Sequence, residues 1–354
     1  MRPLATLLGC LAMILTAALA AAADDRKWEV SVHGALAAPT QSAAGVALLG
    51  EGSMPIGTVP TWFFGDGGVL LGGISQSLRL GAPATLDGAL KRAFIARRAG
   101  GGFGVRVSRT MTPRWSLELS LDENFARTRV ADASRAALDQ AGASFTTAFN
   151  ALLAIPGRQA STSSTVSIDD GRGRQLVATG ALAINLPQRG RLAPYVTVGG
   201  GAMIAQDESA TARIVGDYRF VLPVPSGLAI PIPAPSIHET DTVTIQSHRD
   251  SAFTGLFGAG VRYAAGARWG VRADVRDYVS ANRTTTTVAA APTADRGSTA
   301  VFASFGFFNG RTVQMSTAPG IPSTLSGTLT DQPTFRGTGA AHQINASVGV
   351  YWRF

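Results

Sequence analysis

Residues 115–125 read Trp-Ser-Leu-Glu-Leu-Ser-Leu-Asp-Glu-Asn-Phe, and this stretch decides the fold. Apolar side chains at Trp115, Leu117 and Leu119 alternate with polar side chains at the positions between them. Alternation over about ten residues has the period of a β-strand and does not fit an amphipathic helix. The stretch therefore predicts a strand with one apolar face and one polar face.

The same alternation recurs in seven other segments of the chain. Each segment is close to the ~9–11 residues that a tilted strand needs to cross a bilayer. The eight predicted strands are 28–37, 101–109, 115–125, 175–186, 195–205, 252–263, 269–279 and 341–354.

The connections between these strands alternate between long and short. The short connections, which are rich in turn-forming residues, are 110–114, 187–194 and 264–268, and the long ones are 38–98, 126–174, 206–251 and 280–340. Structureless loops of that length are uncommon in compact soluble domains, whereas outer-membrane barrels combine short periplasmic turns with long extracellular loops. We therefore predict an all-β protein, an eight-stranded antiparallel up-and-down transmembrane β-barrel with four long extracellular loops.

The composition agrees with this architecture. Charged residues make up 15% of the 354, against about 25% in soluble domains. The mean hydropathy is +0.16. Beyond the N-terminus, however, no apolar run reaches the ~18 residues of a membrane helix. The chain must therefore distribute its apolar residues by alternation.

The N-terminal segment Met1–Ala23 has the layout of a cleaved secretory signal peptide. Arg2 precedes an apolar run, and a row of small residues ending at Ala23 offers a cleavage site. The alternatives are an uncleaved anchor and a lipoprotein signal around Cys10. Cleavage would remove Cys10, the single cysteine, and leave residues 24–354 as a barrel without disulfides. Export also excludes nucleic acid as a partner.

Aromatic residues gather at the strand ends next to the short turns. Four of the five tryptophans have this placement, and two tyrosines share it. Amphipathic rings in one row at one membrane interface form an aromatic girdle. The predicted girdle consists of Trp28, Trp115, Trp269, Trp352, Tyr195 and Tyr263.

The C-terminal residues 344–354 end in Tyr-Trp-Arg-Phe after alternating apolar positions, and they resemble the last strand of bacterial outer-membrane proteins. Residues 191–201 and 269–278 resemble small eight-stranded barrels of the OmpA membrane-domain, OmpX and OmpW type. The resemblance covers about a third of the chain and does not extend to the loops. It implies a Gram-negative outer-membrane location and contact with membrane lipid and lipopolysaccharide. It also implies biogenesis through periplasmic chaperones and the barrel-assembly machinery, with Trp352 and Phe354 as the assembly signal.

With the apolar faces turned toward lipid, the opposite faces carry charged residues into the barrel. Eight strands enclose an interior just wide enough for side chains to fill, so these charges are expected to plug the lumen as Arg–carboxylate pairs. Arg106 is expected to pair with Glu118 or Asp122 on the next strand. The alternative is a narrow polar path. The inward charges are Glu29, Arg106, Glu118, Asp122, Arg262, Arg272, Asp274 and Arg276, together with His33 and Arg353.

A hydrolase needs a nucleophile held beside a base. The candidate histidines are His238, beside Glu239, and His248, in the sequence His248-Arg249-Asp250-Ser251. Histidines in solvated loops have the same pattern, and the scattered histidines suggest neither a metal nor another cofactor.

The long loops contain recognisable patterns. Residues 85–98 and 133–154 have helical spacing, the latter with Asp132 as its cap, and residues 220–235 alternate proline with apolar residues, which disfavours a regular sheet ladder. A basic group suits a phosphate-rich outer leaflet and consists of Lys91, Arg92, Arg97 and Arg98. We expect a structural or surface-interaction role with an unidentified loop partner. A narrow porin-like channel and a lipid-modifying hydrolase are the alternatives.

Overall fold

The computed structural model describes residues 27–40, 46–49, 84, 86–90, 93–153, 159–221, 236–294, 302–306, 312–316 and 334–354. The predicted signal peptide and most of the proline-rich stretch 220–235 lie outside these residues. In this part of the chain no helix is both long enough and apolar enough to cross a bilayer.

The described residues form seventeen strands and two helices. The strands are β1 (Trp28–Pro39), β2 (Val46–Leu49), β3 (Ile95–Arg97), β4 (Gly100–Thr112), β5 (Trp115–Val130), β6 (Gln159–Asp169), β7 (Gly171–Asn185), β8 (Leu192–Gln206), β9 (Ser209–Val221), β10 (Ser236–Arg249), β11 (Ala252–Ala264), β12 (Trp269–Ala281), β13 (Thr284–Ala294), β14 (Phe302–Gly306), β15 (Thr312–Ser316), β16 (Thr334–Thr338) and β17 (Ala340–Arg353); the helices are α1 (Asp87–Leu90) and α2 (Asp132–Leu153).

Eight of the strands close into a barrel. Each pairs antiparallel with its neighbours in the order β1, β4, β5, β7, β8, β11, β12, β17. The ring is completed where β1 pairs with β17, in a register that places Glu29 opposite Arg353. The predicted eight-stranded antiparallel up-and-down barrel is therefore confirmed. Each barrel strand matches one of the eight predicted segments, and only residues 186 and 354 of those segments lie outside the strands.

The two faces of each barrel strand have opposite chemistry. On β5, Leu117 and Leu119 are more than half exposed on the outer surface, whereas Glu118 between them is buried. On β12, Val275 is exposed and Asp274 is buried. Because successive side chains point to opposite faces, an apolar exterior turns the charged positions into the lumen.

Aromatic side chains mark both ends of the apolar exterior. Trp115, Trp269 and Trp352 are exposed at the short-turn end, and Phe125 and Phe253 are exposed toward the other end. Ten residues separate Trp115 from Phe125 on β5. At about 3.3 Å per residue and a tilt of about 40°, they rise about 25 Å, the height of the apolar band of outer-membrane barrels.

One residue predicted for this girdle lies elsewhere. Tyr195 is buried inside the lumen, whereas Tyr263 is exposed at the rim. Tyr195 shares the inward parity of Thr197 on β8, so its ring enters the barrel. Proximity to a short turn was therefore an insufficient criterion, since the parity of the strand decides which way a ring points.

The long connections form a second tier above the barrel. A six-stranded sheet runs in the order β2, β16, β13, β10, β9, β6, and β14 and β15 form a separate hairpin. Strand β9 begins only two residues after barrel strand β8 ends, at the break 207–208. Strand β10 ends two residues before barrel strand β11 begins, at the break 250–251. The sequence predicted helical segments in these loops but not the second sheet, and most of the described loop residues are paired strands.

Helix α2 protects one edge of the second tier. The helix starts at the predicted cap Asp132, where the carboxylate contacts Arg129. Near its other end, the Asn150 amide donates to the carbonyl of Thr162 at 2.9 Å and accepts from the Thr162 amide at 2.8 Å. Thr162 lies on β6, an edge strand, and paired backbone groups at an edge hinder association with other chains. Of the helix predicted over 85–98, residues 87–90 form α1 and residues 95–97 are strand β3 instead, while residues 85, 91 and 92 lie outside the described residues.

Candidate functional site: the charged lumen

Three neighbouring inward positions of β12 supply the centre of the site. Arg272, Asp274 and Arg276 share one face of the strand and are buried. Glycines on β11 give these side chains and their partners the room they need. At Gly260, an added Cβ would lie 2.2 Å from the Tyr195 hydroxyl.

Glu118 and Asp274 are the two anions of this centre. The Glu118 carboxylate accepts a hydrogen bond from Arg272 Nη2 at 2.5 Å and another from Arg276. Asp274 accepts from Arg106 Nη1 at 2.5 Å and from the Tyr195 hydroxyl at 2.6 Å. Hydrogen bonds between charged groups are stronger than those between neutral groups. These contacts therefore connect β4, β5, β8 and β12 across the lumen.

Glu29 connects the centre to the short-turn end of the barrel. Its carboxylate accepts from Arg353 Nε at 3.1 Å and lies 3.3 Å from Arg262 Nε and 3.7 Å from Arg272 Nη1. Arg262 also donates to the Asn185 side chain at 3.0 Å. Arg353 is partly exposed, so it forms the solvent end of the network.

His33 and Asp122 form a second buried pair. His33 Nε2 lies 2.5 Å from Asp122 Oδ1 and 3.3 Å from Arg106 Nη2. The Tyr278 hydroxyl donates to the other oxygen of Asp122 at 3.4 Å. Asp122 is therefore held chiefly by His33 and Tyr278, and Arg106 joins this pair to the centre.

Arg106 has its shortest contact with Asp274, which was not the expected partner, and its expected pair with Glu118 is a longer one. Its guanidinium bonds Asp274 at 2.5 Å, whereas its Nε is 4.0 Å from Glu118. In the β4–β5 register Arg106 stands opposite Ser120. Glu118 and Asp122 are the next inward-facing residues of β5 on either side of Ser120. Its long side chain therefore extends across the lumen toward β12 and does not stay along its own ladder.

Sequence reasoning missed a second cluster of buried charges near the long-loop end. Arg97 on β3 bonds Glu208, whose other carboxylate oxygen lies 3.3 Å from Arg249 Nε. Burial and the positive charge of Arg249 lower the pKa of Arg97 to about 9, and burial also lowers the pKa of Arg249. With a pKa of about 9, Arg97 remains protonated at neutral pH. Arg97 was expected on the basic loop surface, but its side chain is buried. Glu208 was the available signal for this cluster, because an acidic residue so close to the end of membrane-spanning strand β8 indicates a basic partner nearby.

The candidate hydrolase histidines each lie beside an aspartate. His238 Nε2 lies 2.5 Å from Asp217, and His248 Nε2 lies 3.4 Å from Asp250. Among the described residues, no group of three or more His, Cys, Asp or Glu side chains is placed to hold a metal ion.

Comparisons with known proteins give structural likeness alone. No family model matches the sequence, and no curated protein matches it. The outer membrane protein OprG from Pseudomonas aeruginosa is 9% identical with a TM-score of 0.42, over 92% of this chain and 95% of that one. A major outer membrane protein from Thermus thermophilus is 12% identical with a TM-score of 0.31, over 92% and 99%. CarO from Acinetobacter baumannii is 12% identical with a TM-score of 0.24, over 74% and 94%.

With scores this low, the class of protein is decided by the chain's own geometry. A closed ring of eight antiparallel strands, an apolar outer band between aromatic rims and a charged interior define a transmembrane β-barrel. The protein is an outer-membrane β-barrel.

Proposed function

We propose that this protein is a non-conducting outer-membrane barrel whose function is structural or resides in the surface interactions of its long-loop tier. The observation that carries the proposal is the filled lumen. The side chains of Arg106, Arg272 and Arg276 are each at most 2% exposed. A barrel with a continuous aqueous path would leave such charges in contact with water.

The arrangement of charges makes the plug costly to open. Removing one partner of a buried ion pair costs on the order of 3–5 kcal/mol, because the remaining charge is left without compensation. Glu118 and Asp274 each contact the same three arginines, Arg106, Arg272 and Arg276. Any movement that opens a path through the centre therefore breaks several pairs at once.

The bridge from Arg97 through Glu208 to Arg249 supports the same conclusion from the other end of the barrel. Its three members belong to β3, to the break after β8 and to the end of β10. The bridge therefore ties two of the long connections, 38–98 and 206–251, together above the central network. With the lumen closed twice, the second tier is the part of the protein that offers a surface to partners.

Export and assembly belong to the same proposal. Residues 1–23 act as a cleaved signal peptide, and Trp352 and Phe354 form the signal read by the barrel-assembly machinery. Both aromatic side chains are exposed at the barrel rim, where they are accessible to another protein.

Conductance in planar bilayers tests the proposal. The wild-type protein should show little steady conductance, and Glu118→Ala/Arg276→Ala should conduct because it removes one charge of each sign and two large side chains. The matched control is Glu123→Ala/Arg109→Ala, which removes one charge of each sign from the outer face and should stay closed. A steady wild-type conductance, unchanged in the lumen variant, would show that the lumen is open.

A further inference from the structure

Four exposed arginines form a cluster on the outer surface of the barrel, just above its apolar band. They lie on three adjacent segments, the connection before β4, the upper end of β5 and the upper end of β7. The cluster, called here the arginine belt, consists of Arg98, Arg127, Arg172 and Arg174.

Backbone pairing holds the members of the belt side by side. In the β5–β7 register, Arg127 stands directly opposite Arg172. The Arg98 amide donates to the carbonyl of Arg127 at 2.9 Å. The guanidinium of Arg174 lies 5.7 Å from the centre of the Phe125 ring. Residues directly opposite on an antiparallel pair have Cβ atoms about 4.5–5.5 Å apart, so the charges of the belt are close neighbours.

This concentration of positive charge has no compensation from the described carboxylates. Like charges directly opposite each other destabilise a ladder. Neighbouring arginines are paired, since Arg129 contacts Asp132 at 2.9 Å and Arg135 lies 3.9 Å from Asp170. None of the four belt arginines makes an ion pair with a described acidic residue, including Glu123, which lies lower on the same outer face of β5.

The height of the belt identifies what it faces. Arg127 is two residues beyond Phe125, which ends the ~25 Å apolar band that starts at Trp115. Two residues add about 5 Å along the barrel axis, which places the guanidinium groups at the level of lipid headgroups. Guanidinium groups bind phosphate through two parallel hydrogen bonds.

We propose that the arginine belt binds the phosphate groups of lipid headgroups in the leaflet at the long-loop end. A phosphate between Arg127 and Arg172 neutralises the unpaired charges and accepts hydrogen bonds from both strands. The proposal rests on the membrane placement of the barrel but is independent of whether the lumen conducts.

Binding of diphosphorylated lipid A to the full barrel in neutral detergent micelles tests the proposal. Native mass spectrometry counts the bound lipid, and the same acylated saccharide without phosphates serves as the second probe. The wild-type protein should bind the diphosphorylated form and not the phosphate-free form, and added salt should weaken the binding. Arg127→Gln/Arg172→Gln should weaken it at least about tenfold, as expected for the loss of one charge-assisted hydrogen bond.

The matched control is Arg189→Gln/Arg191→Gln, which removes two exposed arginines at the short-turn end and should bind like the wild type. Heat-modifiable migration on gels shows that each variant is folded. Equal binding by wild type and belt variant, or equal binding of the phosphate-free lipid, would overturn the assignment. Conductance measured on the same preparations keeps this outcome separate from that of the closed-lumen proposal.

Discussion

Val275→Arg tests whether the outer face of β12 lies in the hydrocarbon of a membrane. Val275 is 53% exposed, and its side chain points away from the buried Asp274 beside it. In the described structure it stands opposite Ala259 of β11. An arginine there would meet lipid and would have no buried partner on its own face of the ladder.

The position of Val275 sets the expected magnitude. Val275 is six residues beyond Trp269, which lies at the aromatic rim. At about 3.3 Å per residue and a tilt of about 40°, six residues rise about 15 Å, close to the middle of a band about 25 Å tall. Arginine on the lipid face costs about 2–4 kcal/mol at the midplane and about 0–1 kcal/mol near the interface.

Val271→Arg is the matched control for this substitution. Val271 has the same outward parity on the same strand but is only two residues from Trp269, about 5 Å above the rim. The free energy of unfolding, measured by urea titration of the barrel in lipid vesicles, should fall by about 2–4 kcal/mol for Val275→Arg and by about 1 kcal/mol or less for Val271→Arg.

A neutral Val275→Arg, or equal losses for the two variants, would refute the reasoning. The first result would mean that the register of β12 is shifted by one residue, because such a shift exchanges the two faces of a strand. The second would mean that the outer face does not sample a graded membrane environment.

Three further predictions concern orientation, assembly and the lumen. Trypsin added to intact cells should cut within residues 206–251 and spare Arg189, and cleavage at Arg189 would mean that the short turns face outward. Deletion of Phe354 should reduce membrane insertion, measured as heat-modifiable protein in the outer-membrane fraction, more than Arg353→Gln does; equal insertion would remove the assembly role of the terminal aromatic. Glu118→Gln should lower the free energy of unfolding in urea by about 3–5 kcal/mol, because it leaves buried guanidinium groups without their anion; a loss below about 1 kcal/mol, typical of an exposed pair, would contradict a buried network.

The eight barrel strands were predictable because each of them separates two different solvents. Lipid on one side and a polar lumen on the other impose strict alternation, as at Leu117, Glu118 and Leu119. The upper ends of the strands were less predictable. Strand β5 continues to Val130 beyond its predicted end at Phe125, because backbone pairing continues above the apolar band while the membrane pattern does not.

The second tier was missed because its strands carry little apolar alternation. Strand β6 reads Gln-Ala-Ser-Thr-Ser-Ser-Thr-Val-Ser-Ile-Asp, and β13 begins with four threonines. Outside the membrane a strand does not need an apolar outer face. The available signal was the enrichment in Thr and Val, which favours strands but gives neither register nor partner.

The inward charges could be identified from parity, but their contacts could not. Parity tells which way Arg106 points and leaves open how far its side chain reaches. Its bond to Asp274 links residues 168 positions apart on strands that are not neighbours. Tyr195 was predicted at the rim, but its hydroxyl bonds Asp274 and Arg272 inside the lumen. These partners are distant in the sequence and come close only when the barrel closes.

The pairing of β1 with β17 has a consequence for the order in which the protein can fold. Glu29 and Arg353 are 324 positions apart in the chain, yet they join at the seam that closes the ring. Until the last strand has been made and delivered, β1 presents a row of unpaired backbone groups, and such an open edge pairs readily with other chains. The most non-local contact must therefore form last, and the chain depends on being held apart from its neighbours until then. A truncation that removes only β17 would expose two edges at once, those of β1 and β12, and it would turn the seam into a site of aggregation.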